Sequence, residues 1–218
     1  MRILVTSDLH GSKEAYSEFK TICIDEKLNL GIIAGDLTTF SKNKIQEEEK
    51  LQCILNSIGI PILFIMGNDD EYEWIDRENL HNINQKSYEY GEFRFIGYQY
   101  SNPFIGGKFE KKEFEQKMDF IELEKICTDK FILISHGPAF GILDNIDNKN
   151  AGSKALLEFL YKTKPEYHFF GHIHEQAGIF QNDVNVNDKH ILSINVSYPI
   201  KKEFYLLDTR DCTIEIWK

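Results

Sequence analysis

The sequence has no hydrophobic run long enough to suggest a membrane-spanning helix. The uncharged stretch from Ile58 to Gly67 covers about ten residues and contains Pro61, whereas a transmembrane helix needs about 20 apolar residues. The apolar run that follows Met1 is interrupted by Asp8 before the core of a secretory signal could form. We therefore expect a cytoplasmic protein without a membrane partner.

Cysteine is also scarce. The 218 residues contain 4 cysteines, and none of them forms a Cys-x-x-Cys pair. These are Cys23, Cys53, Cys127 and Cys212. Their wide spacing and apolar neighbours predict reduced thiols in the core rather than disulfides or zinc ligands.

Positive charge is in deficit, since lysine and arginine total 25 against 35 aspartates and glutamates, for a net charge of −10. A surface of this sign repels phosphate backbones, and the paired lysines are scattered without aromatic residues between them, which disfavours general nucleic-acid binding. Arginine is found at Arg2, Arg77, Arg94 and Arg210, outside every motif described below. No bidentate arginine clamp for a phosphate is therefore predicted.

Short β-branched runs alternate with amphipathic segments along the chain. Buried strands are predicted for Arg2 to Thr6, Asn29 to Ala34, Ile60 to Met66, Phe131 to Ser135 and Tyr167 to Phe170. Helices are predicted from N-caps at Ser12 and Ser153 and from the spacing of Leu51, Ile54, Leu55 and Ile58 and of Phe114, Met118 and Ile121. A hairpin over 87–100, further strands over 177–217 and a polar loop over 182–189 complete the pattern. It predicts an α/β fold in a single domain over residues 1–218.

Each of the five predicted strands ends in a group of polar residues. The groups are Asp8-Leu9-His10, Gly35-Asp36, Gly67-Asn68-Asp69, Ser135-His136-Gly137 and Gly171-His172-Ile173-His174. Because the carboxyl ends of strands form the ligand crevice of open α/β sheets, we expect these groups to converge on one site. Carboxylates, an amide and imidazoles together favour Mn²⁺, Fe or Zn²⁺ over Ca²⁺. In an extended chain Asp8 and His10 would face the same side, as would His172 and His174, so that each pair would act at one metal.

This ordered set of motifs, which spans residues 8 to 174, resembles that of the calcineurin-like metallophosphoesterase superfamily. The stretch from His136-Gly137-Pro138 to Gly171-His172-Ile173-His174-Glu175 is especially similar to its small Icc-related and UPF0046-type branch. The resemblance implies a four-layer αββα sandwich of two mixed sheets. It also implies a binuclear metal centre that hydrolyses a small-molecule phosphoester by attack of metal-bound hydroxide.

The resemblance further implies which residues hold two divalent ions, with Mn favoured over Fe, Zn or Ni. One metal would be held by Asp8, His10, Asp36 and His174, and the second by Asp36, Asn68, His136 and His172, so that Asp36 bridges the two. One position departs from the superfamily, since Asp69 stands where a histidine usually protonates the leaving oxygen. Branches that lack this histidine are often phosphodiesterases, which favours a small or nucleotide-like diester over a monoester. Asp69 is then either an unusual proton donor or a group that orders water or contacts a metal.

Two other functions stay open. The change at position 69 is consistent with a binding scaffold that keeps the fold without turnover, and some superfamily members are nucleases, which the acidic charge disfavours. Glu175 either orients a ligand histidine or faces solvent. The motifs do not include His81, His168 or His190, and the candidate walls of a substrate pocket are Phe104, Phe140 and Tyr198. Neither the substrate nor the oligomeric state follows from the sequence.

Overall fold

The computed structural model describes residues 1–39, 44–181 and 191–218, so the loop predicted over 182–189 and His190 lie outside the described residues. The helices are α1 (Lys13–Asp25), α2 (Lys44–Asn56), α3 (Glu113–Leu123) and α4 (Lys154–Thr163). The first seven strands are β1 (Arg2–Thr6), β2 (Leu30–Ala34), β3 (Ile62–Ile65), β4 (Leu80–Asn82), β5 (Ser87–Tyr90), β6 (Phe93–Tyr98) and β7 (Phe131–Ser135). The others are β8 (Asn145–Ile146), β9 (Lys149–Asn150), β10 (Tyr167–Phe170), β11 (Gly178–Gln181), β12 (Leu192–Asn195), β13 (Phe204–Asp208) and β14 (Thr213–Trp217).

Twelve of these strands form two six-stranded mixed sheets. In the first, ordered β14-β13-β1-β2-β3-β4, strands β1 to β4 are parallel and β13 pairs antiparallel with both β1 and β14. In the second, ordered β11-β12-β10-β7-β6-β5, the four central strands are parallel and the two edge strands are antiparallel to them. Because β1 lies between β2 and β13, early and late parts of the chain share one sheet, and we propose that residues 1–218 form one domain.

Three apolar clusters separate four layers. Phe19 of α1 and Leu55 of α2 pack against one face of the first sheet, while Phe120 of α3 and Phe159 of α4 pack against the far face of the second. The third cluster, which includes Phe169, fills the space between the sheets and draws on strands of both. Alternate side chains of each central strand therefore enter different clusters, as the two-residue period of a strand requires. The predicted αββα sandwich of two mixed sheets is confirmed.

Both predicted N-caps are confirmed. The Ser12 hydroxyl accepts a hydrogen bond from the Ala15 backbone N–H at 3.2 Å, and the Ser153 hydroxyl accepts one from Leu156 N–H at 3.1 Å. Ser12 starts α1 directly after the Asp8-Leu9-His10 group, so this cap also ends the first candidate ligand loop.

All four cysteines are free, as predicted, but the prediction that they lie in the core is wrong for three of them. Cys23 is buried in α1, and burial raises its pKa to about 12, so this thiol stays protonated. Cys53, on the solvent-facing side of α2, and Cys212, in the turn between β13 and β14, are exposed, and Cys127 is half-buried. Apolar neighbours in sequence do not determine which face of an element is covered.

The helix predicted from Phe114, Met118 and Ile121 is present as α3, although these three side chains face solvent. None of the described helices combines the length and apolar character that crossing a bilayer requires.

Candidate metal centre

The five polar strand ends come together where the carboxyl ends of β1, β2 and β3 meet those of β7 and β10. The chain turns sharply there, because Asp8, His10, Asp36 and His172 have left-handed φ angles of 58°, 44°, 48° and 71°. The expectation of an extended chain at these motifs is therefore wrong. The side chains of His172 and His174 do not face the same side, because His174 lies beside His10 and His172 packs against His136.

One group of side chains consists of Asp8, His10, Asp36 and His174. One possible ligand atom from each lies within 4.8 Å of the others. The Nε2 atoms of His10 and His174 are 3.2 Å apart, and Asp8 Oδ1 lies 3.5 Å from His174 Nε2. The structure therefore brings together the four residues that the resemblance assigns to one metal.

A second group surrounds His136. Its Nε2 lies 2.9 Å from Asn68 Oδ1 and 3.4 Å from Asp36 Oδ1, and its ring centroid is 5.1 Å from that of His172. Asp36 belongs to both groups, because its other oxygen, Oδ2, lies 3.9 Å from His10 Nε2. The two oxygens of one carboxylate thus face the two groups, as a bridging ligand would.

The tautomer of His136 shows that these residues fit a cation. Its Nδ1 lies 3.1 Å from the Ala34 carbonyl oxygen, which can only accept, so Nδ1 carries the proton. Burial lowers the pKa of His136, so the ring is neutral and its Nε2 is an acceptor. Asn68 donates its amide N–H to Asp69 at 3.2 Å and so turns its Oδ1 toward His136. Three acceptors then face one another, namely His136 Nε2, Asn68 Oδ1 and Asp36 Oδ1, and a divalent cation satisfies all three.

The electrostatics of the buried carboxylates also favour a cation. Burial raises the pKa of Asp36 well above its usual range, and the negative charges of Asp8 and Asp70 add to this effect. Burial opposes ionisation of Asp8 too, but its hydrogen bond with His174 and the nearby imidazoles hold its pKa below the usual value. Burial lowers the pKa of His172 to about 3, which keeps that ring neutral and able to bind a metal. A bound cation would remove the repulsion between the carboxylates.

Three glycines make the close approach of the groups possible. A Cβ at Gly67 would lie 2.1 Å from Asp36 Oδ1, and one at Gly171 would lie 2.3 Å from Asp8 Oδ2. At Gly35, where φ is +97°, a Cβ would lie 2.4 Å from His136 Nδ1. Any side chain at these positions would displace a candidate ligand, which explains why glycine precedes a polar residue at three strand ends.

Asp69 contacts several candidate ligands. Its backbone N–H donates to Asp36 Oδ1 at 2.9 Å, its Oδ1 accepts from the Asn68 amide, and its Oδ2 lies 3.5 Å from His10 Nδ1. That nitrogen of His10 is buried and makes no hydrogen bond among the described residues. The Asp69 side chain is 35% exposed, so it lies between the candidate metal centre and solvent.

Two residues that support the centre were missed by the sequence analysis. The buried Asp70 carboxylate accepts hydrogen bonds from the backbone N–H groups of Leu37, Thr38 and Gly67, at 3.2, 2.8 and 2.8 Å, which ties two ligand loops together. Ser197 donates its hydroxyl hydrogen bond to Asp8 Oδ2, which also accepts from the His172 backbone N–H at 3.1 Å. Ser197 follows β12, so the strand-end pattern that marked the other groups was present here as well.

The remaining candidates fall outside the two groups. His168 is fully buried and lies within hydrogen-bond distance of the Ser135 hydroxyl (2.8 Å) and the Ser193 hydroxyl (3.3 Å), which fits its lack of an assigned role. Tyr198 is buried and donates to Glu18 at 3.0 Å. His81 packs against Tyr88, Phe140 lies under Lys154, and Glu175 is exposed.

Two cavities flank the candidate centre. One, of about 270 Å³, is lined by His10, the start of α1, Thr38 and Glu47. The other, of about 530 Å³, is lined by Phe104, the β8–β9 hairpin, His172 and His174. A ligand held at the centre could therefore extend in two directions.

Sequence comparison identifies the family. A family model described as calcineurin-like phosphoesterase matches residues 1–176. This chain belongs to the calcineurin-like phosphoesterases. It is also 30% identical over 117 residues to a UPF0046 protein of Caenorhabditis elegans. That match covers 54% of this chain and 39% of the relative, so the chain spans well under two thirds of that protein.

Solved structures share the fold at low sequence identity. A protein of Thermus thermophilus superposes with a TM-score of 0.70 at 13% identity, covering 100% of this chain and 98% of the other. A dimetal phosphatase of Danio rerio gives a TM-score of 0.61 at 10% identity, covering 94% of this chain and 91% of the other. These likenesses establish the αββα fold of calcineurin-like phosphoesterases for this chain.

Proposed function

We propose that this calcineurin-like phosphoesterase is a binuclear metal-dependent phosphodiesterase that acts on a small phosphodiester. The observation that carries the proposal is the position of Asp36, whose two oxygens face two separate groups of nitrogen and oxygen donors. Membership of the family and the likeness to a dimetal phosphatase support the same conclusion. Mixed imidazole, carboxylate and amide donors suit Mn²⁺, Fe or Zn²⁺, and the resemblance to the superfamily favours manganese among these.

The residues have distinct tasks in this proposal. Asp8, His10 and His174 would hold one ion together with Asp36, and Asn68, His136 and His172 would hold the other together with the same residue. When bound, the pair of ions polarises the phosphoryl oxygens and lowers the pKa of water. The Ser197 hydroxyl and the Ala34 carbonyl hold Asp8 and His136 in place, and Asp70 joins the loops that carry Asp36 and Asn68.

The two flanking cavities support a diester as substrate. A phosphodiester carries two ester groups, and the centre has one cavity on the His10 side and another on the His172 side. A monoester would leave one of them empty. The aspartate at position 69 supports the same preference, because the imidazole that assists a poor leaving group is missing there.

We infer that Asp69 orients the ligands rather than protonating the leaving oxygen. Its carboxylate is already engaged with Asn68 and lies beside His10, and its backbone holds Asp36.

A cytoplasmic location belongs to the same proposal. All four cysteines are free and two are exposed, which suits a reducing compartment.

The test compares hydrolysis of bis-p-nitrophenyl phosphate and p-nitrophenyl phosphate by metal-stripped protein and by protein resupplied with Mn²⁺, Ni²⁺, Zn²⁺ or Mg²⁺. We expect turnover only after metal is added, with a higher kcat/KM for the diester. Faster hydrolysis of the monoester would overturn the substrate class. Binding of two metals without any turnover would favour the non-catalytic scaffold, and efficient cleavage of oligonucleotides would favour a nuclease.

A further inference from the structure

The cavity on the His172 side has one large aromatic wall. Phe104 is 60% exposed, and its ring meets that of His172 edge-on with the centroids 5.3 Å apart. Both residues line the cavity. An exposed ring of this size keeps apolar surface in contact with water, and a flat group bound against it would cover that surface. Phe104 thus offers a contact face directly beside the candidate metal centre.

The loop that carries Phe104 is held in place. The Glu110 carboxylate accepts hydrogen bonds from three consecutive backbone N–H groups, those of residues 104–106, at 2.8 to 2.9 Å. Further along the loop, Gly107 lies so close to the Asn68 carbonyl oxygen that a Cβ would come within 2.4 Å of it. Because the loop is anchored at both points, the aromatic wall is in position before a ligand arrives.

The cavity is lined by acidic side chains without any lysine or arginine among the described residues. Its other walls include the amides of Asn145, Asn148 and Gln176 and the carboxylates of Asp147 and Glu175. A negatively charged group placed here would meet two like charges without a compensating side-chain cation.

We propose that this cavity binds an aryl-like ester group of the substrate, flat and without negative charge, and that Phe104 determines this preference. The inference rests on the proposed phosphodiesterase function and narrows its substrate class. Diesters whose ester group carries a carboxylate or a further phosphate are disfavoured in this cavity, whereas uncharged aromatic groups are favoured.

The test measures dissociation constants by calorimetry for three phosphate monoesters that resemble products: methyl phosphate, phenyl phosphate and 4-carboxyphenyl phosphate. The protein is supplied with Mn²⁺. We expect phenyl phosphate to bind about tenfold more tightly than methyl phosphate, because stacking on the ring adds to the burial of apolar area. The 4-carboxyphenyl ester should bind at least about threefold more weakly than the phenyl ester, because of the nearby carboxylates.

Three variants separate the effect of the aromatic ring on binding from the effect of the acidic side chains. Phe104→Ala should abolish the preference for phenyl over methyl phosphate, whereas Ile105→Ala, which changes an equally exposed side chain of the same loop that does not line the cavity, should retain it. Asp147→Asn, which keeps a residue suited to its left-handed φ of 49°, should reduce the discrimination against the 4-carboxyphenyl ester.

Equal affinities in the wild type, or an unchanged phenyl-to-methyl ratio in Phe104→Ala, would overturn the inference. If Phe104 served only to support His172, the substitution would weaken both esters alike and leave that ratio unchanged. Hydrolysis of bis-p-nitrophenyl phosphate is measured in parallel. The expected binding pattern without any hydrolysis would support the cavity assignment and count against the proposed function alone.

Discussion

The two halves of the candidate centre differ in how they are enclosed. On one side, the His10 and His174 side chains are 20% and 29% exposed and their nearest ring nitrogens face each other. On the other, His136 is completely buried and held through Nδ1 by a backbone carbonyl. Asp36, which belongs to both, is 3% exposed.

The two halves are therefore prepared for a metal in different ways. The His136 half has its tautomer and orientation fixed by the fold, so little order is lost when a cation binds. The His10 half is open to solvent and has fewer groups that fix its imidazoles. We expect the His136 half to hold its ion more tightly and the His10 half to exchange its ion more readily.

The largest loss of activity and of bound metal should follow from removing Asp36, the candidate ligand that both halves share. Asp36→Ala should release both ions and lower activity by more than about 100-fold, since loss of even a residue that supports a ligand costs about 10–100-fold. Metal content measured by mass spectrometry, together with diester hydrolysis, checks this. Asp25→Ala, an exposed acid at the end of α1, is the control. A variant that kept both ions and its activity would show that the two halves do not share Asp36.

Because His136 is buried and His10 is partly exposed, their replacement should change the free energy of unfolding by different amounts. In the metal-free protein, His136→Ala should lower the free energy of unfolding by about 2–4 kcal/mol, because it leaves a cavity at a fully buried position and removes the hydrogen bond to the Ala34 carbonyl. His10→Ala should cost less than about 1 kcal/mol, since the imidazole is partly exposed and its Nδ1 makes no hydrogen bond. Urea unfolding in the presence of a chelator measures both. Equal losses would contradict the distinction between a buried and an open half.

A substitution at the open half tests the choice of substrate. Asp69→His supplies an imidazole at the position where the resemblance places one, and should raise kcat/KM for phenyl phosphate, whose basic leaving group gains from protonation, relative to bis-p-nitrophenyl phosphate by about tenfold or more. Asp69→Asn removes the charge without adding an acid and is the matched control, for which we expect no such rise. If the asparagine variant gained monoesterase activity as well, the negative charge rather than the missing imidazole would set the preference.

The smallest effect should come from the hydroxyl that orients Asp8. Ser197→Ala should weaken the ion of the His10 half by about tenfold and leave the ion of the His136 half unchanged, because the contact of Ser197 is with Asp8. Titration calorimetry of the metal-free protein with Mn²⁺ resolves the two binding events. Equal weakening of both would show that Ser197 supports the whole sheet edge instead of one ligand.

Much of the fold and the grouping of candidate ligands could be predicted, because the relevant signals are local. Strands β1, β7 and β10 have the predicted bounds, and the polar residues that follow them meet at one edge. N-caps such as Ser12 follow from side-chain chemistry alone. The assignment of side chains as metal ligands stays a prediction, although the structure brings them together in the two groups that the resemblance implies.

Other features depend on contacts between distant parts of the chain and could not be predicted. The left-handed turn at Asp8 follows from packing of the loops, not from the Asp-x-His pattern. The run of glutamates from Glu47 to Glu49 is typical of an exposed helix face, yet Glu48 is buried in α2. The exposure of Cys53 likewise depends on which side of α2 meets the sheet.

The hydrogen bond between Ser197 and Asp8 joins residues 189 positions apart. β1 also lies beside β13, so the strand that precedes Asp8 gains its second neighbour only after residues 204–208 have been made. Contacts of such long range slow folding, because a large loop must close before they form. During synthesis on the ribosome, the candidate ligands Asp8 and His10 therefore emerge long before Ser197 and β13, and the candidate metal centre is completed only after these later residues have folded against β1.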